Sequence, residues 1–272
     1  MQNRISRRLL LAAAALSFAA HVAAAATSDR ALQAAIGDPG RTASFVARDS
    51  VRHPYEELTF FGITPKLTVV ELTPGGGYWT EILSPYLSRG GGTFYAALDV
   101  PGSGEDGILK KWHERMAAQK GRLGTIHETM LGAGHYDIAP AGSADLVLTF
   151  RNLHNWMDSG YADEALRAAF TALKPGGIFG MEEHRGRDDK PQDPKAKDGY
   201  VRQDYAIALA KKAGFVLVAS SEMDANAKDT KDYPSGVWAL PPTLYDGAKD
   251  RDKYLAIGEA DNFVLKFQKP QR

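Results

Sequence analysis

Apolar positions along the chain come in two patterns: short β-branched runs, and stretches with helical spacing. The sharpest unit is Leu67 to Leu83, LTVVELTPGGGYWTEIL. Leu67, Val69, Val70 and Leu72 predict a buried strand, Pro74 to Gly77 a turn, and Tyr78 onwards a helix. Strand two runs from Gly92 to Asp99 and ends on an acid. A helix over Asp106–Gln119, a weaker strand over Leu123–Met130 and a buried strand over Asp145–Phe150 follow. Tyr161–Leu173 reads as a helix, with Asp163 and Glu164 in its first turn and Leu166, Ala169, Phe170 and Leu173 on one face. Lys174 to Gly177 stops it and starts a strand over Ile178–Glu182. A charged loop, Arg185–Asp198, leads to a helix over Tyr200–Ala213 and a strand over Phe215–Val218. A long polar loop from Ser221 to Gly258 precedes a closing strand over Phe263–Phe267. Strands alternating with helices predict a doubly wound α/β sheet.

Upstream of this core, Ser28 or Asp29 caps a helix through Ala31–Ile36, and Asp38-Pro39-Gly40 breaks it. A second helical pattern from Ser44 to Val51 leads into the polar group Arg48 to Tyr55. Two readings stand for that group. It is a solvated face laced with salt bridges, or a helical lid over the glycine turn that brings Arg52, His53 or Tyr55 towards a ligand.

The first 26 residues have a separate logic. Arg4, Arg7 and Arg8 form a positive region, Leu9–Ala20 an apolar run, and Ala23–Ala26 an A-x-A site. This is the anatomy of an export signal, by the general or the twin-arginine route, and the run is short for a bilayer span. Cleavage would leave no stable membrane anchor. It divides the chain into a signal (1–26), a helical lid segment (27–66) and one catalytic-type domain (67–272), located in a bacterial periplasm.

Lys and Arg total 33, as do Asp and Glu, and cysteine is absent. Removing residues 1–26 takes away three arginines and no acid, which leaves a net charge of −3. Balanced charge argues against nucleic acid as partner. The absence of cysteine excludes thiolate metal sites and a cysteine nucleophile. The seven histidines show no metal-binding spacing, so no metal is expected.

Strand, glycine turn and helix together form a unit that lets backbone approach a nucleotide-like ligand. Asp99 follows Gly77 at close to the ~20-residue spacing of a carboxylate that accepts ribose hydroxyls.

Several segments in order resemble the class I S-adenosylmethionine (SAM)-dependent methyltransferases, and look most like an exported branch of them. They are Val70 to Gly77, Asp99, Asp145 to Phe150, Arg151 to Trp156, Leu173-Lys174-Pro175-Gly176-Gly177, and Ala213-Gly214-Phe215. The resemblance implies a Rossmann-like, seven-stranded, mostly parallel sheet with an antiparallel last strand. It also implies SAM as cofactor and a small-molecule or protein methyl acceptor. Carried over residue by residue, Gly75 and Gly77 would admit the methionine portion of SAM, Glu71 would face its amino group, and Asp99 its ribose. Phe150, Asn152 and Trp156 would lie in a segment forming the pocket floor under the sulfonium. Methyl transfer needs positioning and, for some acceptors, a base; His154 and His184, after strands four and five, are the candidates.

Two departures stand out. Thr73 occupies the place of the motif's first glycine, where its side chain narrows the approach. The loop Gly132–Asp137 leaves open whether Asp137 or a backbone group meets the adenine. Export would also separate the protein from the cytoplasmic SAM supply. An exported binding protein that kept the fold without the chemistry is therefore the alternative. A nicotinamide enzyme is disfavoured, because Thr80 stands where the third glycine of its motif would be.

Overall fold

The computed structural model describes residues 29–102 and 106–271; the expected signal segment and Ser28 lie outside the described residues. The elements run, in order, α1 (Arg30–Ile36), α2 (Ala43–Val46), α3 (Asp49–Arg52), α4 (Pro54–Phe61), β1 (Thr68–Leu72), α5 (Thr80–Gly90), β2 (Thr93–Asp99), α6 (Asp106–Ala118) and β3 (His127–Leu131). They continue with β4 (Ala144–Phe150), α7 (Leu153–Ser159), α8 (Ala162–Ala172), β5 (Leu173–His184), α9 (Gln203–Lys212), β6 (Val216–Ser221), α10 (Arg251–Ile257) and β7 (Asn262–Gln268). One sheet holds all seven strands in the order β3-β2-β1-β4-β5-β7-β6. β7 pairs antiparallel with both β5 and β6, while the pairs among β1 to β5 are parallel. This is the predicted doubly wound, mostly parallel sheet with its antiparallel last strand.

Alternation along the central strands builds two cores. On one face Val70, Leu72 and Val147 pack under α7, α8 and α9. On the other, Val69, Leu146 and Leu148 pack under α1, α4, α5 and α6. The strand order reverses between β1 and β4, which opens a crevice at their C-terminal ends.

Boundaries differ from the sequence reading where backbone hydrogen bonding overrides pattern. The predicted helix from Ser44 to Val51 is two short helices, α2 and α3. A further helix, α4, begins on Pro54 and ends at Gly62, whose φ of 85° caps it. The Leu173–Gly177 segment does not lie outside its strand: β5 starts at Leu173, pairs with Ala144, and absorbs a register shift before Leu146. The long polar loop contains α10. Among the described residues no helix is long and apolar enough to cross a membrane.

Candidate active site at the ends of the parallel strands

Two adjoining cavities flank the glycine turn. One, of about 390 Å³, is lined by Asp99, Leu131, Gly132, Ala133 and Trp156 among others. The other, of about 150 Å³, is lined by Arg48, Arg52, Glu71, Tyr78, Trp79 and Phe150 among others. Thr73, Gly75 and Asn152 line both, so they form the junction.

At that junction the backbone turns sharply. Thr73 has φ 41° and Gly75 φ 56°. For a β-branched residue this left-handed conformation is strained. The Thr73 N–H donates to Ala97 O at 2.8 Å, which anchors the turn to β2. The buried Thr73 hydroxyl finds no hydrogen-bond partner among the described residues. Asn152 Nδ2 donates to Leu72 O at 3.1 Å and to Thr149 Oγ1 at 3.2 Å, which ties the end of β4 to the end of β1.

Glu71, 1 % exposed, sits inside the smaller cavity's wall. Burial pushes its carboxyl up to about 8, against the Thr80 hydroxyl that donates to Oε2 at 2.7 Å. The group is therefore protonated at neutral pH. Phe150 stacks on Trp79 with centroids 4.1 Å apart and planes 18° from parallel. Arg52 lies over the Tyr78 ring at 4.2 Å and the Trp79 ring at 5.2 Å.

The segment before β1 is laced with salt bridges, as one reading had it, and it also packs against the helix that follows the glycine turn. Thr42 donates through N and Oγ1 to Glu81 at 2.7 and 2.6 Å, and Tyr78 donates to Asp49 at 2.6 Å. Arg48 makes a two-pronged pair with Glu259, both contacts at 2.6 Å, and Arg151 reaches the same carboxylate at 3.0 Å. Burial raises the Glu259 pKa, but Arg48 and Arg151 outweigh it and hold the carboxyl below its ordinary range. Arg52 pairs with Glu182 at 3.3 Å, yet its Nε has no partner among the described residues. Of the three lid candidates, Arg52 reaches the cavity. His53 pairs with Asp224 at 2.7 Å, and Tyr55 accepts the Asp29 N–H at 2.9 Å.

Gly75 lines both cavities, whereas Gly77 lines neither. A Cβ on Gly77 would stand 2.9 Å from Met116 Cε and 3.2 Å from Trp112 Cδ1, so its glycine serves the close packing of α6. Asp99 ends β2 at the larger cavity, as the spacing predicted. Asp137 is exposed and does not line that cavity; Gly132 and Ala133 do.

His154 and His184 also stand outside both cavities. They meet each other at the ends of β4 and β5, together with Glu183. Burial, with His154 and Arg151 nearby, holds the His184 imidazole well below the usual histidine range, which leaves it neutral. Sequence spacing missed this grouping, because only the adjacent pair Glu183-His184 is local. Arg48, Arg52 and Glu259 were likewise invisible as one network, since Glu259 joins from the far end of the chain.

No protein-family model matches the sequence, and no curated protein is similar to it. Solved structures are similar in fold. A SAM-dependent methyltransferase from Aquifex aeolicus superposes with a TM-score of 0.56 at 14% identity, over 82% of this chain and 93% of the other. A phosphoethanolamine N-methyltransferase from Haemonchus contortus, bound to S-adenosylhomocysteine, superposes with a TM-score of 0.54 at 16% identity, over 88% and 61%. The fold is that of the SAM-dependent methyltransferases. The methyltransferase fold is not tied to one chemistry, for the cyclase SpnF superposes with a TM-score of 0.53 at 16% identity, over 86% and 85%. In this chain the fold places Asp99, the glycine turn and the end of β4 around one crevice, with the arginine-rich lid above it.

Proposed function

We propose that the protein is a SAM-dependent methyltransferase acting on a small-molecule or protein acceptor, exported to the bacterial periplasm by its N-terminal signal. The observation that carries this reading is the division of labour between the two cavities. Asp99 lines the larger, a carboxylate suited to ribose hydroxyls. The smaller carries the groups an amino acid needs: Glu71 for an ammonium, and Arg52 for a carboxylate. Arg52 Nε and Trp79 Nε1 are buried donors without partners among the described residues, and both residues line this cavity. A bound amino-acid group would satisfy donors that otherwise cost about 1–3 kcal/mol each.

SAM, when bound, supplies a methyl group already activated by its sulfonium. The protein's residues have the task of holding it. Asp99 would hold the ribose end, the Thr73–Gly75 turn would line the passage between the cavities, and Arg52 and Glu71 would hold the amino-acid end. Phe150 and Trp79 present aromatic faces that favour a cation. The lid, tied to Glu259 through Arg48, would shield the bound group from water.

Calorimetric titration of SAM and S-adenosylhomocysteine tests the reading, with Asp99→Ala beside the native chain. Loss of hydrogen bonds to a charged acceptor should weaken binding about ten- to a hundredfold, or roughly 1.5–3 kcal/mol. Absence of binding to the native chain overturns it. A second reading, a binding protein on the same fold without methyl transfer, is favoured by the strained Thr73 at the junction. It requires that neither compound binds and that Thr73→Gly restores the site.

A further inference from the structure

Two histidines distant in sequence meet at the C-terminal edge of the sheet. The rings of His154 and His184 are 5.3 Å apart and tilted by 35°. Each is held through Nδ1. For His154 the partner is Glu183 Oε1 at 2.8 Å, and for His184 it is Asn262 Oδ1 at 2.7 Å. The Asn262 orientation is fixed by its other end, since Nδ2 donates to Glu182 Oε1 at 2.9 Å. Carboxylate and amide oxygens accept only, so in the metal-free protein each Nδ1 carries the proton. An ion shared by His154 and Glu183 replaces the proton between His154 Nδ1 and Glu183 Oε1, whereas His184 keeps its lone pair on Nε2. The His184 imidazole is thus locked in one tautomer by an outer partner, and His154 faces Glu183 directly.

Glu183 is fully buried and lies between them. It accepts three hydrogen bonds: His154 Nδ1, the His184 N–H at 2.8 Å and the His154 N–H at 3.2 Å. A carboxylate has about four lone-pair positions, so one remains. Each of the three residues offers a donor atom, and the three atoms lie within 4.8 Å of one another. Bonds of ~2.0–2.2 Å in tetrahedral geometry set donors roughly 3.3–3.5 Å apart, so the three atoms draw closer when they share one ion. For His184, an Nδ1–H held by the Asn262 amide oxygen is the outer support that metal-binding imidazoles use.

We propose that His154, His184 and Glu183 bind one divalent transition-metal ion, of the zinc or cobalt kind, with a coordination position left open. Two imidazoles and one carboxylate, without a thiolate, suit borderline ions rather than calcium, magnesium or monovalent copper. An open position is what distinguishes a catalytic or substrate-binding site from a structural one. Access is at hand: His184 is half-buried, and Trp238, whose ring meets His154 edge-on at 6.0 Å, also lines a cavity of about 570 Å³ with Tyr233 and Tyr245. Trp238 is thus shared by that cavity and the surroundings of His154. The site is independent of the methyl-transfer reading, because the metal is measured with no SAM present.

The test is titration of Co²⁺ into the purified full chain after chelator treatment, followed by visible absorption. One equivalent is expected to give the d–d bands of a four- or five-coordinate ion, displaced by Zn²⁺. His184→Ala should weaken Co²⁺ binding at least tenfold. His113→Ala, at an exposed histidine paired with Glu128, should leave it unchanged. His154 is buried and its variant can fail through folding, so His184→Gln is the second probe, again with at least a tenfold loss. No stoichiometric Co²⁺ spectrum in the native chain, or one that survives in both His184 variants, overturns the assignment.

Discussion

Glu71 Oε2 accepts the Thr80 hydroxyl at 2.7 Å, a bond that joins the last turn of β1 to the first turn of α5 inside the smaller cavity. Burial holds this carboxyl at about 8, so it enters neutral solution protonated. A cationic amino group arriving beside it favours the ionised form. Binding of SAM at pH 7 should then release a proton, and affinity should rise with pH towards 8 and level off above it. Calorimetry in buffers of differing ionisation enthalpy reads the proton directly, and Glu71→Gln should abolish both effects. The same group has an opposite effect on stability. Its folded pKa lies above the unfolded value, so between about 4.5 and 8 the native state binds more protons and stability falls as pH rises. Urea midpoints across that window should show a decline that Glu71→Gln removes.

Arg52 supports the lid and the ligand at once. It is 4 % exposed, and removing it takes the Oε2 partner from Glu182, 1 % exposed, whose remaining partners are Asn262 at 2.9 Å and Arg151 at 3.9 Å on Oε1. Breaking such a pair costs about 3–5 kcal/mol. Arg52→Gln should therefore lower the urea midpoint markedly. If Arg52 grips the amino-acid end, the variant should also weaken SAM by more than it weakens adenosine, which has no such end. Equal losses for the two would make Arg52 structural only.

Much of the fold was legible because strand and helix periods differ and because turn residues mark their junctions. The Leu67–Leu83 unit, Asp99 at the end of β2 and the order of later strands all follow from local pattern. The lid was legible only as a polar group, since nothing local tells Arg52 that Glu182 waits on β5 or Arg48 that Glu259 precedes β7. The His154–Glu183–His184 grouping was hidden for the same reason: it is made by parallel pairing of β4 with β5, which no spacing encodes. Helix α4 was missed because its histidine-proline start resembles a break, while Pro54 in fact occupies a helix's first position.

Thr73 holds φ 41° with its hydroxyl buried and unpartnered among the described residues. The left-handed conformation costs an L-residue roughly 1–2 kcal/mol, and the orphan hydroxyl adds to it. Glycine removes both, at the expense of roughly 0.5–1 kcal/mol in unfolded-chain entropy. Thr73→Gly should therefore be stabilising by about 1 kcal/mol, seen as a higher urea midpoint with an unchanged slope. It should also tighten SAM, because the turn gains room where both cavities meet. A destabilised variant would mean that the threonine side chain holds the turn through a contact stronger than its strain.

Gly77 and Gly91 separate backbone strain from crowding. Both have left-handed φ, at 92° and 82°. A Cβ at Gly91 would meet nothing within 4 Å, whereas at Gly77 it would press on Met116 and Trp112 of α6. Gly91→Ala should then lose only the conformational cost, about 1–2 kcal/mol. Gly77→Ala should lose that amount plus a packing cost of about 1–3 kcal/mol, since Trp112 is buried and has little room to retreat. The difference between their urea midpoints isolates the crowding. Neither glycine lines the cavities, so SAM affinity of the folded Gly91→Ala protein should match the native chain, and that of Gly77→Ala should change only as far as α6 displaces the turn. Equal destabilisation by the two would show that α6 yields freely, and that Gly77 is required by its backbone conformation alone.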